Sequence, residues 1–219
     1  MNISLLGGTG DIAEGLVLRW TKAGHKILIG SRSDEKAKGI AEEYNSKLRT
    51  LGIPSDIEGM KNADAAANSE VVVISLPYEY TVETLGQIKG SFTSQIVISP
   101  VVPMKKEGKV FIYTPPPQGS AAEEIREALP AGVRLVSAYH NLPASELRKV
   151  EEELHYDVVL CGDDDEAKQV VARLTEDMPR LRALDAGPLR VSSMIEAMTP
   201  LIINLNVRYK PRHFSVKFV

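Results

Sequence analysis

The sequence is poor in cysteine, in long apolar runs and in charge of one sign. Cys161 is the single cysteine of 219 residues, so an intramolecular disulfide or a cysteine-rich metal site cannot form, and a reducing cytoplasm is the expected setting. Cys161 itself, just before a glycine, reads as a small core residue. The charge-free stretch 91–104 is interrupted by two prolines and falls well short of the ~18 apolar residues that a spanning helix needs. The opening MNISLLGGTG has neither the basic start nor the apolar length of a signal peptide. With 26 basic and 29 acidic residues the net charge is −3, which excludes a general electrostatic grip on nucleic acid or anionic lipid. Any anionic ligand must be held locally. The 43% hydrophobic and 25% charged composition excludes disorder and a collagen-like chain, and the length suits one nucleotide-sized core plus a smaller unit.

What is present is an alternation. Residues 2–6 (NISLL) form a short apolar run that stops at glycines, and from Asp11 to Ala23 the apolar residues Ile12, Leu16, Val17 and Trp20 recur at helical spacing. Gly24 fits a left-handed stop. KILIG (26–30) is then a second strand and 33–51 a second helix. The pattern continues with VVVISLP (71–77), a helix near 79–89, QIVIS (95–99), KVFIY (109–113), a helix near 120–129 and VRLVSA (133–138). Strands that are apolar at consecutive positions and joined by helices predict an α/β protein with a Rossmann-type, doubly wound, mainly parallel sheet. Tyr139 to Pro143 interrupt the pattern. DVVLCG (157–162), a helix near 164–177, RALDAG (182–187) and a long apolar segment, 191–207, then predict a smaller C-terminal α+β domain. The expected division is 1–140 and 141–219. Pro115, Pro116 and Pro117 predict a stiff extended loop.

Gly8-Thr9-Gly10-Asp11-Ile12-Ala13 matches G-x-G-x-x-G/A after the first strand and at the start of the first helix, where a dinucleotide pyrophosphate would sit. Gly8 is expected to permit the tight turn, Gly10 to let the backbone approach the anion, and Ala13 to keep the helix close to the sheet. Asp11 would bind through its backbone amide. The second strand ends Gly30-Ser31-Arg32, where an NAD-specific fold usually offers a carboxylate to the ribose. Ser31, Arg32 and Lys36 instead present a hydroxyl, a guanidinium fork and a point charge suited to a 2′-phosphate, which predicts NADP(H) as cofactor.

The reaction is less constrained, because a dinucleotide fold names a cofactor and not a substrate. The sequence contains no Tyr-x-x-x-Lys and no relay or metal-ligand spacing among His25, His140, His155 and His213. An alcohol dehydrogenase must move a proton with its hydride, whereas transfer between two heteroaromatic cofactors can proceed by positioning alone.

The chain resembles the NADP oxidoreductases that depend on coenzyme F-420 (F420), an 8-hydroxy-5-deazaflavin hydride carrier. The resemblance is carried by Gly7-Gly8-Thr9-Gly10, Gly30-Ser31-Arg32 with Lys36, SLP (75–77), SPVVP (99–103), GSAAE (119–123), SAYHNLPA (137–144), CGDDDEAK (161–168), LDAGPL (184–189) and TPLIINLN (199–206). It implies a Rossmann domain whose small C-terminal partner closes a cleft in which nicotinamide and deazaflavin stack, with reversible hydride transfer between deazaflavin C5 and nicotinamide C4. By this resemblance Thr9 to Ile12 cradle the pyrophosphate, and Leu76, Tyr80, Val102 and Ala144 line the ribose and nicotinamide end. His140, Leu142, Thr199 and Phe214 lie against the deazaflavin, with His140 and Thr199 as positioning residues and no acid–base residue required. Two other readings are an NADP(H)-sensing module without enzymatic activity and an NADPH-dependent reductase of flavin or another small substrate. Segment 191–207 also suggests a homodimer.

Overall fold

The computed structural model describes every residue except Thr9, Arg212 and His213, and only the backbone of Asp11. The chain opens with β1 (Asn2–Leu6), α1 (Asp11–Lys22), β2 (Lys26–Ser31) and α2 (Asp34–Thr50). It continues with β3 (Glu58–Lys61), α3 (Asn62–Ala67), β4 (Val71–Ile74), α4 (Tyr78–Gln87) and β5 (Ile96–Ser99). A hairpin of β6 (Met104–Glu107) and β7 (Val110–Tyr113) leads to α5 (Ala121–Ala128) and β8 (Arg134–Ser137). Last come α6 (Ala144–Leu147), β9 (Asp157–Gly162), α7 (Asp165–Glu176), β10 (Arg182–Asp185) and α8 (Ser192–Arg208).

Eight strands form one sheet in the order β10-β9-β8-β5-β4-β1-β2-β3. From β3 to β8 every neighbouring pair is parallel, which is the doubly wound order with β8 as its sixth strand. β9 joins β8 antiparallel and β10 joins β9 parallel, so the C-terminal region extends the same sheet with its strands reversed. Strand pairs such as Val71 and Val73 against Val72 and Ile74 feed two cores on opposite faces, as the period-2 alternation of Cβ directions requires. One core holds Trp20, whose ring meets Tyr139 edge-on at 5.7 Å and whose Nε1–H donates to the Leu174 carbonyl at 2.8 Å. That contact ties α1 to α7.

The local starts follow ordinary capping chemistry. Ser33 Oγ accepts from the Lys36 amide and Asp164 Oδ1 from the Ala167 amide, satisfying amides that a helix leaves open. α1 differs: Gly10 is its cap residue and supplies no side chain, so its first turn is uncapped.

KVFIY does not continue the parallel sheet. It forms the separate antiparallel hairpin with β6, closed at Gly108 with φ 60°. Val110 and Ile112 face solvent while Phe111 and Tyr113 face inward, so its apolar content is spread over two faces and it cannot be a strand buried on both. The SLP end of 71–77 leaves the strand at Ile74. β3 is polar and short, which hid it from hydropathy. Its Gly59 lies so near Ala37 that a Cβ there would fall 2.2 Å from the Ala37 carbonyl carbon.

Candidate active site

The sheet order reverses at β1 and β4, and the cleft lies outside their carboxyl ends, where open α/β sheets bind ligands. Its volume is about 800 Å³, in the upper range for small-molecule sites. One wall comes from the glycine turn and the loop after β4, with Gly7, Gly10, Ile12, Ser75 and Leu76. The facing wall comes from His140, Leu142 and Ala144 after β8 and from Thr199, Ile202, Ile203 and Asn206 on α8.

The glycine turn is built as a close approach. Gly7, not Gly8, carries the turn's positive φ, 70°, and a Cβ there would stand 2.4 Å from Leu76 Cδ2. A Cβ on Gly8 would press on Ile29 at 3.1 Å, so Gly8 serves packing rather than the turn. Tyr44 Oη donates to the Gly8 carbonyl at 3.0 Å, fixing the turn to α2. Ala13 is fully buried, as close helix-to-sheet packing requires. With the amides of α1 uncapped and Gly10 offering no side chain, the turn fits a pyrophosphate. Thr9 lies outside the described residues.

Ser31 is buried at the end of β2, while Arg32 and Lys36 are exposed at the start of α2. Neither cation pairs with a carboxylate among the described residues. They sit at the outer end of the same βα crossover, outside the cleft itself.

Segment 140–152 is positioned from beneath by Arg19. Arg19 is 4% exposed, and its guanidinium donates to the carbonyls of Leu147 at 2.7 Å, Glu146 at 3.1 Å, Lys149 at 2.6 Å and Glu152 at 3.0 Å. Burial lowers its pKa, and Glu152 and Glu146 oppose the shift. Gly15 leaves room for this segment, since a Cβ there would meet Leu147 Cβ at 2.3 Å. Upstream, Tyr139 adopts φ 71°, a left-handed conformation costly for a bulky residue. Its ring is locked against Trp20 and its hydroxyl accepts from Thr175 Oγ1 at 3.0 Å. This turn sends His140 to the cleft.

His140 is 6% exposed, with both ring nitrogens buried. Burial pushes its pKa down to about 3, opposed by the backbone of Val101, so the imidazole is neutral. Thr199 Oγ1 donates to the His140 carbonyl at 2.8 Å, so these two expected residues meet through the main chain.

Of the other expected residues, Leu76, Val102, Leu142 and Ala144 line the cleft. Tyr80 does not: it is 50% exposed on α4, and Tyr78, two residues earlier, takes the lining position. Tyr78 is pushed up to about 12 by burial and by Glu124. Phe214 is absent from the lining as well. Its amide donates to Asn206 Oδ1 at 2.6 Å, and its carbonyl accepts from Asn206 Nδ2 at 3.2 Å, so Asn206 stands between it and the cleft. Sequence reasoning missed Ile202, Ile203 and Asn206, although with Thr199 they repeat at helical spacing inside TPLIINLN.

A doubly wound sheet with an uncapped glycine turn and a two-walled cleft at its switch point defines a nicotinamide-dinucleotide-binding protein of the Rossmann class. The family described as NADP oxidoreductase, coenzyme F420-dependent, matches residues 2–103. The F420-dependent NADP reductase of Methanocaldococcus jannaschii is 41% identical over 219 residues, covering 99% of this chain and 97% of that one. That of Methanothermobacter thermautotrophicus is 36% identical over 222 residues, covering 99% and 94%. A solved structure from Arthrobacter sp. fb24 shares the fold with a TM-score of 0.83 at 22% identity, covering 100% of this chain and 99% of that one. The chain belongs to the F420-dependent NADP reductase family.

Proposed function

We propose that this protein is an oxidoreductase that catalyses reversible hydride transfer between NADP(H) and coenzyme F420. The observation that carries the reading is a cleft in which a dinucleotide-type glycine turn faces a second wall of His140, Leu142, Thr199, Ile202 and Ile203. When bound, the nicotinamide and deazaflavin rings supply the hydride donor and acceptor.

The chain contributes binding, alignment and exclusion of water. The amides of Gly10 to Ile12 hold the pyrophosphate, and Ser31, Arg32 and Lys36 hold the 2′-phosphate. Leu76, Val102 and Ala144 seat the nicotinamide end. Leu142, Ile202 and Ile203 would hold the deazaflavin beside it, with His140 in the wall behind. Thr199 keeps the His140 backbone in place. A neutral imidazole at these positions orients rather than titrates, in keeping with a reaction that is accelerated by alignment. Residues 141–219 act as the small domain that completes the cleft.

We further infer a homodimer, supported by Met194 at 72% and Leu201 at 58% exposure, one heptad apart on α8. A cytoplasmic setting is supported by the lone buried thiol of Cys161. Direct transfer is tested with NADPH deuterated at the transferred position: the label should arrive on the deazaflavin. Its loss to water would overturn direct transfer.

A further inference from the structure

Little apolar packing holds α8, although it carries part of the cleft wall that faces the glycine turn. Of its 17 residues only Ser192, Ile195, Glu196, Pro200 and Ile202 are buried, and its core patch joins Ile195 to Val159 and Cys161 alone. Apolar packing is non-directional, so a patch this small leaves the rotation of the helix about its axis loosely set. Two polar side chains supply the direction. Glu196 is fully buried and spans three elements: Oε2 accepts from Tyr113 Oη on β7 at 2.8 Å and from the Ala121 amide at 3.0 Å, while Oε1 accepts from the Ala122 amide at 3.0 Å. Ser120, the cap residue of α5, accepts from the Glu123 amide, so Glu196 takes two first-turn amides that the cap leaves open. It thereby also joins both ends of the Pro115-Pro116-Pro117 stretch between β7 and α5. Asn204, two turns further along α8, makes a reciprocal pair with β7. The Phe111 amide donates to Asn204 Oδ1 at 2.8 Å, and Asn204 Nδ2 donates to the Phe111 carbonyl at 2.8 Å. At about 100° per residue, Glu196, Pro200 and Asn204 share one stripe of α8, and Thr199, Ile202, Ile203 and Asn206 form the stripe beside it. Those four line the cleft. Fastenings about 12 Å apart along the axis fix both the rotation and the slide of the helix, where a single bond would let it pivot.

We propose that Glu196 and Asn204 are positioning residues for hydride transfer: by fastening α8 to β7 and α5 they set the width of the cleft at Thr199, Ile202 and Ile203, and with it the separation of the two rings. Neither touches the reacting atoms. The proposal rests on the functional reading above, which places both rings between the glycine turn and this wall. An apolar side chain in place of a buried polar group can stabilise a fold as well, but it fixes no rotation. A reaction accelerated by alignment is sensitive to displacements of about 1 Å, so directional bonds at these two positions act on the rate as well as on the fold.

The test uses Asn204→Leu, Tyr113→Phe and Glu196→Gln. In the free protein, hydrogen exchange at the Phe111 amide should quicken about tenfold in Asn204→Leu, and at one of the Ala121 and Ala122 amides by about as much in Glu196→Gln, the loss of one bond each. Each variant should bind NADPH within about twofold of the wild type, which also reports that it is folded. Each should bind the deazaflavin, followed by its fluorescence, about threefold to tenfold more weakly, and transfer hydride about tenfold more slowly in a single turnover at saturation. Tyr113→Phe removes one hydroxyl from a half-buried ring and keeps the test decisive if Glu196→Gln does not fold. Lower denaturant midpoints with unchanged deazaflavin affinity and unchanged saturated transfer rate would show a merely structural role and overturn the proposal. A wild-type protein that binds NADPH and transfers no hydride to the deazaflavin would overturn the functional reading, and the positioning role with it.

Discussion

Thr199 Oγ1 donates to the main-chain carbonyl of His140 at 2.8 Å, joining α8 to the loop after β8. The bond matters because it holds the main chain of a residue whose ring is buried in the cleft wall. The ring position is therefore set by backbone, by the left-handed turn at Tyr139 on one side and by Thr199 on the other.

Thr199→Val keeps the shape and removes the donor. We expect a loss of about 1 kcal/mol of stability and a fall in hydride-transfer rate near tenfold, with Thr199→Ser restoring most of both. Denaturant midpoints and single-turnover rates check this. A Thr199→Val enzyme with unchanged rate would show that the bond does not align the site.

His140 titrates far below its ordinary value of 6.5, at about 3. The unfolded chain takes up the proton first as pH falls, so the stability present above about 6.5 is lost progressively on the way down to about 3. His140→Leu should flatten that part of the stability profile, read as denaturant midpoint against pH. Hydride transfer should show no inflection from this imidazole above pH ~5, because the ring stays neutral throughout that range. An inflection near neutrality that His140→Leu removes would contradict the positioning role.

Glu196 behaves with the opposite sign. It is fully buried on α8, with Oε1 accepting from the Ala122 amide at 3.0 Å and Oε2 from the Ala121 amide at 3.0 Å and Tyr113 Oη at 2.8 Å. Burial raises its pKa from 4.5 to about 7 despite those bonds. A raised folded pKa gives stability that is complete below about 4.5 and lost as pH rises through about 7. Glu196→Gln should therefore flatten the profile across that interval, at a constant cost from the backbone amide that its NH2 group cannot accept from. Parallel wild-type and variant profiles would show that Glu196 ionises in the folded protein as it does in the unfolded one.

Arg32→Glu should raise KM for NADP at least about tenfold, the loss of one charge-assisted bond to a phosphate, and improve the use of NAD. Steady-state kinetics with both nucleotides settle it. Unchanged preference would remove Arg32 and its neighbours from 2′-phosphate recognition.

Much of the fold was legible because its parallel strands are apolar at consecutive positions and its glycine turn stands where the first strand ends. The hairpin was misread because KVFIY has the composition of a buried strand and reveals its two faces only by alternation. β3 was invisible because EGMK carries almost no hydropathy. Within the site, residues read from local motif, such as Gly10, Ile12 and Leu76, fell on the cleft. Tyr80 and Phe214 did not, since which side of a short helix or tail faces inward is set by packing against α5 and by Asn206. Nor does local pattern show that Arg19, a basic residue in a helix, binds four carbonyls more than 120 positions away. Long-range hydrogen bonding leaves no periodicity to read.

The most direct measurement mixes the purified protein with oxidised F420 and NADPH and follows the deazaflavin's visible absorbance, with NADH as alternative donor and FAD as alternative acceptor. The account predicts rapid bleaching of the deazaflavin with NADPH, little with NADH, and none of FAD. Binding of NADPH without bleaching would contradict hydride transfer to the deazaflavin and leave a cofactor-binding module or a reductase of another substrate.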